Sequence, residues 1–427
     1  MASFSIPLTG LQAESTALNT IANNLADMNT TAFKSQSTQF SDLFYQQIGS
    51  SGAGDPIQVG AGTKVASNSI SFTQGSISST GKATDVALNG SGFFVVGNGQ
   101  AGFELTRTGN FSIDANGNLV STSGLSVMGY AGANGVVNTN GPLTAMNIPV
   151  GQVLSPRATT SMSMTMNLNS SSAVGAQFPG EATVYDSLGE PHVVTITYTK
   201  TAANTWDYSA ALPAADFASG TSTAVTGTLS FDSNGNLQSI DPGSTGTLST
   251  VGTGPGDVSS VNLSFAGLAD GAANLNMQWN LLGANNAPTI GQVSTTSAVS
   301  STNQDGYASG QYQDFTVGSD GVITVSYSNG QKQNIGQLAL ANVSNLQGLA
   351  LLGDGNYGTT LSSGTASIAT SGANGLGTLQ NGALEGSNVN ISSEFANLIV
   401  AQRAFEANAK SVTTFDSVTQ DTINMVR

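Results

Sequence analysis

The stretch that decides the fold is LEGSNVNISSEFANLIVAQRAFEANAKSVTTFDSVTQDTINMVR, residues 384–427. From Ile391, alternating steps of four and three meet Phe395, Leu398, Gln402, Phe405, Ala409, Val412, Asp416, Thr419, Ile423 and Val426. Most are apolar, and the spacing is the seam of a helix that packs lengthwise against other helices. Asn390 and Ser392 are placed to cap its start, and Glu394 sits in the first turn, where the helix dipole favours an acid. Glu406 and Lys410 are spaced for a surface ion pair. An unbroken helix from Ile391 to Val426 would be about 54 Å long. That is longer than most globular domains need, which points to partner surface on other chains.

The opposite end has the same design. Phe4, Leu8, Leu11, Leu18, Ala22 and Leu25 follow the four-three step, and Ile21 and Met28 widen the stripe. Ser5 reads as the cap, Pro7 is tolerated in the first turn, and residues 27–31 read as the stop. Between the two helices the period changes to two. Short strands are expected over 83–88, 93–96, 104–106 and 111–113, with Asn116-Gly117 turning a hairpin. A second β region begins near Ile148. Met162, Met164, Met166 and Leu168 alternate with polar residues, as do Val194, Ile196 and Tyr198, and Asn234-Gly235 turns another hairpin. Ile323, Val325 and Tyr327 then lead into Asn329-Gly330.

The expected fold is therefore mixed. Long N- and C-terminal helices form a coiled-coil-like inner domain, and two or more mainly β domains are nested between them in an elongated chain. The boundaries read as 1–32 with 384–427 for the helices and 33–69 for a linker with short elements. Residues 70–147 with 286–383 form an inner β domain, and 148–285 an outer one.

Composition narrows the class. Only 8% of the 427 residues are charged, with 10 Lys+Arg against 25 Asp+Glu. A net charge of −15 argues against nucleic acid or an anionic membrane as partner. The absence of cysteine rules out disulfides and thiolate metal sites and suits export from the cell. No Lys or Arg precedes Lys34, so no secretory signal of the usual kind is expected, and no apolar run reaches the length of a membrane span.

Chemistry-bearing clusters are scarce. His192, the single histidine, lies in Asp186-Ser187-Leu188-Gly189-Glu190-Pro191-His192 and reads as a turn residue without a nucleophile or orienting group nearby. Asp114-Ala115-Asn116-Gly117-Asn118 and Asp232-Ser233-Asn234-Gly235-Asn236 begin like calcium loops. Both lack the downstream acid of the EF-hand and read as hairpin turns. Gly90-Ser91-Gly92 opens no helix. No catalytic residue, cofactor or metal ligand is assigned, and an enzyme is not expected.

Several strings nevertheless resemble one family. Ala22-Asn23-Asn24-Leu25-Ala26 and Thr31-Ala32-Phe33-Lys34 are similar to the N-terminal signature of the flagellar rod and hook axial proteins, in which Gly is usual where Ala32 stands. Leu384-Glu385-Gly386-Ser387-Asn388-Val389 and Gln402-Arg403-Ala404-Phe405-Glu406-Ala407-Asn408-Ala409-Lys410 resemble its C-terminal signature, with Phe405 in place of the commoner Tyr. Asp85-Val86-Ala87-Leu88 and Thr106-Arg107-Thr108-Gly109-Asn110-Phe111 resemble its inner β domain. The length and the second β region are similar to the hook members rather than the shorter rod members.

The resemblance implies a subunit of an extracellular curved tube that joins rod to filament and passes motor torque as a universal joint. It implies assembly through Leu8, Leu11, Leu18, Leu25, Phe395, Leu398, Phe405, Val412 and Ile423 on helices lining the inner tube. It implies as partners further copies of the chain, the distal rod protein, a hook cap protein, hook–filament junction proteins and the flagellar type III export apparatus. Gln402 and Asp416 interrupt the seam and are expected to set register; unchanged tube geometry after replacing either with Leu would refute this. The alternatives are a long distal rod protein of the same family and a secreted β-rich binding protein.

Overall fold

The computed structural model describes residues 5–50, 55–98, 102–243 and 247–425. Phe4 and Val426 of the two stripes lie outside the described residues. The chain divides into two compact units, Met1–Val150 with Gln313–Ser326 and Lys332–Arg427, and Gly151–Tyr312 with Tyr327–Gln331.

The first unit holds both terminal helices, α1 (Ser5–Ala26) and α2 (Ile391–Met425), which pack against each other. α1 ends in a tight turn at Asp27–Asn29 and α2 is capped by Asn390, whose Oδ1 accepts the Ser393 N–H at 3.2 Å. Residues 33–69, expected as a linker with short elements, form two antiparallel strand pairs. Gln36–Asp42 pairs antiparallel with Thr63–Ile70, and Tyr45–Ser50 pairs with Pro56–Gly60. Both strands of the first pair pack on α1.

The body of this unit is a sheet in the order Val322–Tyr327, Lys332–Asn342, Ser126–Ala133, Phe93–Gly97, Phe103–Thr106, Asn356–Gly358 and Ala350–Gly353. Its core includes Phe93, Val95, Leu105 and Tyr357, with Phe93 and Tyr357 meeting edge to face at 5.5 Å. The returning chain closes the unit. Thr378–Asn381 pairs with Val86–Asn89, and Ala383–Glu385 pairs with Ile77–Ser79.

The second unit is two sheets sharing one core. One is a six-stranded antiparallel meander from Gln177–Tyr185 to Ser249–Thr250. The other places Ser161–Asn169 at its centre, parallel to Leu275–Asn280 and Ile290–Val293 and antiparallel to Ala298–Gln304. Met162, Met164, Met166 and Leu168 all point into the core against Tyr198, Trp206 and Tyr208 of the meander. The last two partners of Ser161–Asn169 move the boundary expected at 285: residues 286–312 belong to this unit, because strand pairing outweighs the Ser/Thr-rich composition that reads as a break. No described helix is long and apolar enough to cross a membrane.

Candidate functional site

The helices are joined through small residues. α1 and α2 run antiparallel, so that Gly10 lies against Asn408, where an added Cβ would come within 2.7 Å of the Asn408 side-chain nitrogen. Ala13 and Ala17 of α1 and Ala401 of α2 are buried. On α2 the sheltered positions are Glu394, Leu398, Ala401, Ala404, Asn408, Ala409, Val412 and Phe415. This face is rotated from the seam read in the sequence. Leu398 and Val412 fall on it half-buried, and Leu11, Leu18 and Leu25 are half-buried on α1. Leu8, Phe395, Phe405 and Ile423 are exposed, together with Ile399, Val400 and Val418. The small residues take the intrachain contact because they let two backbones approach, which leaves the large apolar side chains facing out. From residue 416 to 425 every position of α2 is exposed. Gln402, Arg403, Asp416 and Lys410 are also exposed, and Glu406 pairs with Arg403 at 3.0 Å rather than with Lys410. Residues three apart are neighbours on a helix surface, so Arg403 meets Glu406 one turn on.

A buried charged knot ties the helices to the sheet. Glu385 accepts from Lys34 Nζ at 2.7 Å through Oε1 and from Arg107 at 3.0 Å through Oε2, and all three side chains are almost fully buried. Lys34 also donates to Thr73 O at 2.9 Å, the Gly75 N–H donates to Glu385 at 2.9 Å, and Arg107 Nη1 donates to Gly90 O and Gly92 O. Burial pulls the Lys34 ammonium below its usual pKa against the hydrogen bond and charge of Glu385, and the nearby Arg107 charge adds to the depression. Removing one member of the knot would leave an uncompensated buried charge.

Side-chain amides complete the joint by imitating strand partners. Asn24 accepts the Gln36 N–H at 2.9 Å and donates to Gln36 O at 2.7 Å. Asn388 accepts the Ser35 N–H at 2.8 Å and donates to Ser71 O at 2.8 Å. Among the signature residues, Asn24, Lys34 and Asn388 thus meet in one place. Phe33, Ser387 and Val389 are half-buried beside them, whereas Asn23 is exposed. Glu385 and Arg107 were not singled out by sequence reasoning, although charge scarcity was a usable signal: two of the ten basic residues lie in this one knot.

The remaining candidates resolve individually. Asp114 Oδ1 accepts the Asn116 and Asn118 N–H groups, and Asp232 Oδ1 accepts those of Asn234 and Asn236, so both loops are hairpin turns with inward-facing carboxylates. His192 is no turn residue. It lies in strand Pro191–Ala202, buried, with Nδ1 2.9 Å from Asp216 and Nε2 3.5 Å from Asp186. Asp216 is distant in sequence and reaches the imidazole only through the fold.

Family models match four segments in chain order. They are a flagella basal body rod protein model at 6–34, the flagellar hook protein FlgE/F/G D1 domain at 87–167, the flagellar basal body protein FlaE D2 domain at 177–307, and the flagellar basal body rod FlgEFG C-terminal model at 380–425. The flagellar hook protein FlgE of Salmonella typhimurium is 34% identical over 440 residues, spanning 99% of this chain and 100% of that protein. The chain belongs to the flagellar hook protein family. The hook proteins of Escherichia coli, 34% identical over 99% of both chains, and of Treponema pallidum, 33% identical over 98% of both, are similar throughout. In fold, the chain resembles the crystal structure of Helicobacter pylori flagellar hook protein FlgE2, with a TM-score of 0.54 at 16% identity, over 72% of this chain and all of that one. The charged knot joins three of the four matched hook-family segments, contributing Lys34, Arg107 and Glu385 in turn.

Proposed function

We propose that the chain is the structural subunit of the flagellar hook and acts by polymerising into a helical tube. The observation that carries this reading is the outward apolar flank of α2, with Phe395, Ile399, Phe405 and Ile423 exposed and every position from 416 to 425 exposed. Exposed large apolar side chains repeated along one helix point to an association site. Each such side chain contributes about 1.5–3 kcal/mol when buried. Several per copy, summed over the neighbours a tube provides, offset an association cost of about 4–15 kcal/mol.

In this reading α1 and α2 meet their counterparts on adjacent copies as the coiled-coil-like inner wall of the tube, through Leu8, Leu11, Leu18, Leu25, Phe395, Leu398, Phe405, Val412 and Ile423. The tube lies outside the cell, links rod to filament and transmits torque while curved. Its partners are the distal rod protein at one end and the junction proteins at the other, with a hook cap guiding growth and the type III apparatus exporting the chain. The role needs no cofactor, nucleic acid, membrane insertion or catalysis.

Electron microscopy of the full chain beside a chain ending at residue 415 tests the reading. Tubes from the first and monomers from the second are expected. Equal polymerisation by both would remove the end of α2, beyond residue 415, from the assembly contact.

A further inference from the structure

Four titratable side chains of the second unit gather where three of its loops meet. Asp186 opens the turn after strand Gln177–Tyr185, and His192 lies just inside strand Pro191–Ala202. Asp216 closes the short helical turn Ala214–Asp216, and Asp270 lies in the loop after Leu268. The loops are held together by backbone, since Phe217 and Leu268 form a bridge and the Ala269 N–H donates to Asp216 O at 2.9 Å.

The atoms converge in an ordered way. Asp186 is fully buried, and its Oδ1 is committed to the Leu188 and Glu190 N–H groups at 2.8 and 2.9 Å, leaving Oδ2 to face the imidazole. Asp216 takes the Nδ1 side of His192, so Nε2 is aimed at Asp186 Oδ2. Asp270 brings a third carboxylate to the same point, and one ligand atom from each of Asp186, His192 and Asp270 lies within 4.8 Å of the others. Three carboxylates thus surround one imidazole. Even with the ring protonated the group carries two excess negative charges, and among the described residues no Lys or Arg forms an ion pair with it.

We propose that Asp186, His192 and Asp270 form a binding site for a divalent cation of the zinc type, with Asp216 as the residue that orients the histidine. Ligands held about 2.0–2.2 Å from one ion lie roughly 3–3.5 Å apart, and the Asp186–His192 distance of 3.5 Å already matches. Asp270 is exposed, so a side-chain rotation suffices to close the set. One imidazole nitrogen with two carboxylate oxygens suits Zn²⁺ or Co²⁺, whereas Ca²⁺ and Mg²⁺ take oxygen sets. A carboxylate on the far nitrogen of a ligating histidine fixes ring and tautomer as Asp216 does here. Water fills the open positions, and the bound ion pins the three loops together.

The test uses the full chain, stripped with a chelator and titrated with Co²⁺ and Zn²⁺. Uptake of one equivalent in the micromolar range is expected, with a visible Co²⁺ absorption and a higher melting temperature for the second unit with Zn²⁺. Asp270→Asn, at an exposed position that folding tolerates, weakens uptake at least ~10-fold, and Asp216→Asn weakens it ~10–100-fold. His192→Gln removes the nitrogen contribution from the Co²⁺ spectrum. Absence of saturable uptake below ~1 mM overturns the proposal. So does equal uptake by Asp270→Asn and wild type, since the ion would then sit elsewhere on an acidic surface.

Discussion

The two units are built by different means. The second is a two-sheet sandwich whose core is packed from alternating apolar side chains on its strands, such as Met164, Ile196 and Trp206. The first is stitched across the whole chain, since Lys34 meets Glu385 and Ser35 meets Asn388. Hydrophobic burial tolerates substitution of similar volume, whereas a buried ionic joint fails when one member is lost. The first unit therefore adds to its apolar core a dependence on a few buried polar side chains, whereas the core of the second is spread over many apolar ones.

The sharpest way to break this contrast is Glu385→Ala. It leaves Lys34 and Arg107 buried without a counter-charge and is expected to destabilise the first unit by about 3–5 kcal/mol. Amide hydrogen exchange should show loss of protection at the strands around Gly75 and Val86 with the meander of the second unit still protected. Equal loss in both units would mean that they unfold as one. Met164→Ala is the mirror experiment. Met164 is fully buried, so a loss of about 2–4 kcal/mol is expected, confined to the second unit.

Asp305 shows that the second unit also uses a polar clasp. Its Oδ1 accepts the Thr160 and Ser161 N–H groups at 2.8 and 2.9 Å, and its Oδ2 accepts the Thr160 hydroxyl at 2.6 Å and faces Arg157 at 3.1 Å. Burial opposes its charge, but these hydrogen bonds and the Arg157 charge outweigh burial and hold its pKa below the usual carboxylate range. The stabilisation is therefore present above the unfolded value near ~3.9 and lost as pH falls through the depressed folded value. Asp305→Asn is expected to cost about 1–2 kcal/mol at neutral pH and to reduce the acid sensitivity of this unit. An acid denaturation curve parallel to wild type would remove Asp305 from that account.

The smallest effect is expected at Ala32, whose backbone adopts φ 56° while its N–H donates to Glu385 O at 2.8 Å. A left-handed conformation costs an alanine about 1–2 kcal/mol, against about 0.5–1 kcal/mol for the extra freedom of glycine when unfolded. Ala32→Gly is expected to stabilise the first unit by about 0.5 kcal/mol, readable as a small rise in its denaturation midpoint.

Periodicity carried much of this architecture. The four-three spacing from Ile391 and the two-residue alternation from Met162 to Leu168 each depend only on neighbours along the chain, so helix and strand were legible without a structure. The face that α2 turns to α1 was not, because an apolar stripe does not say whether its partner is in the same chain. The structure gives the intrachain contact to Gly10, Ala17, Ala401 and Asn408 and leaves Phe395 and Phe405 outside.

The sequence by itself determined the terminal helices, the β character between them, the low charge and the family signatures, because each is written in local spacing or in contiguous strings. Only the tertiary structure decided that 33–69 folds as nested antiparallel strand pairs, that 286–312 belongs with the second unit, that Glu385 closes on Lys34 and Arg107, and that His192 has two carboxylates beside it. The physical reason is common to all four. Strand partners, buried counter-charges and hydrogen-bonding side chains are chosen by proximity in space, and each brings together residues that no sequence period relates.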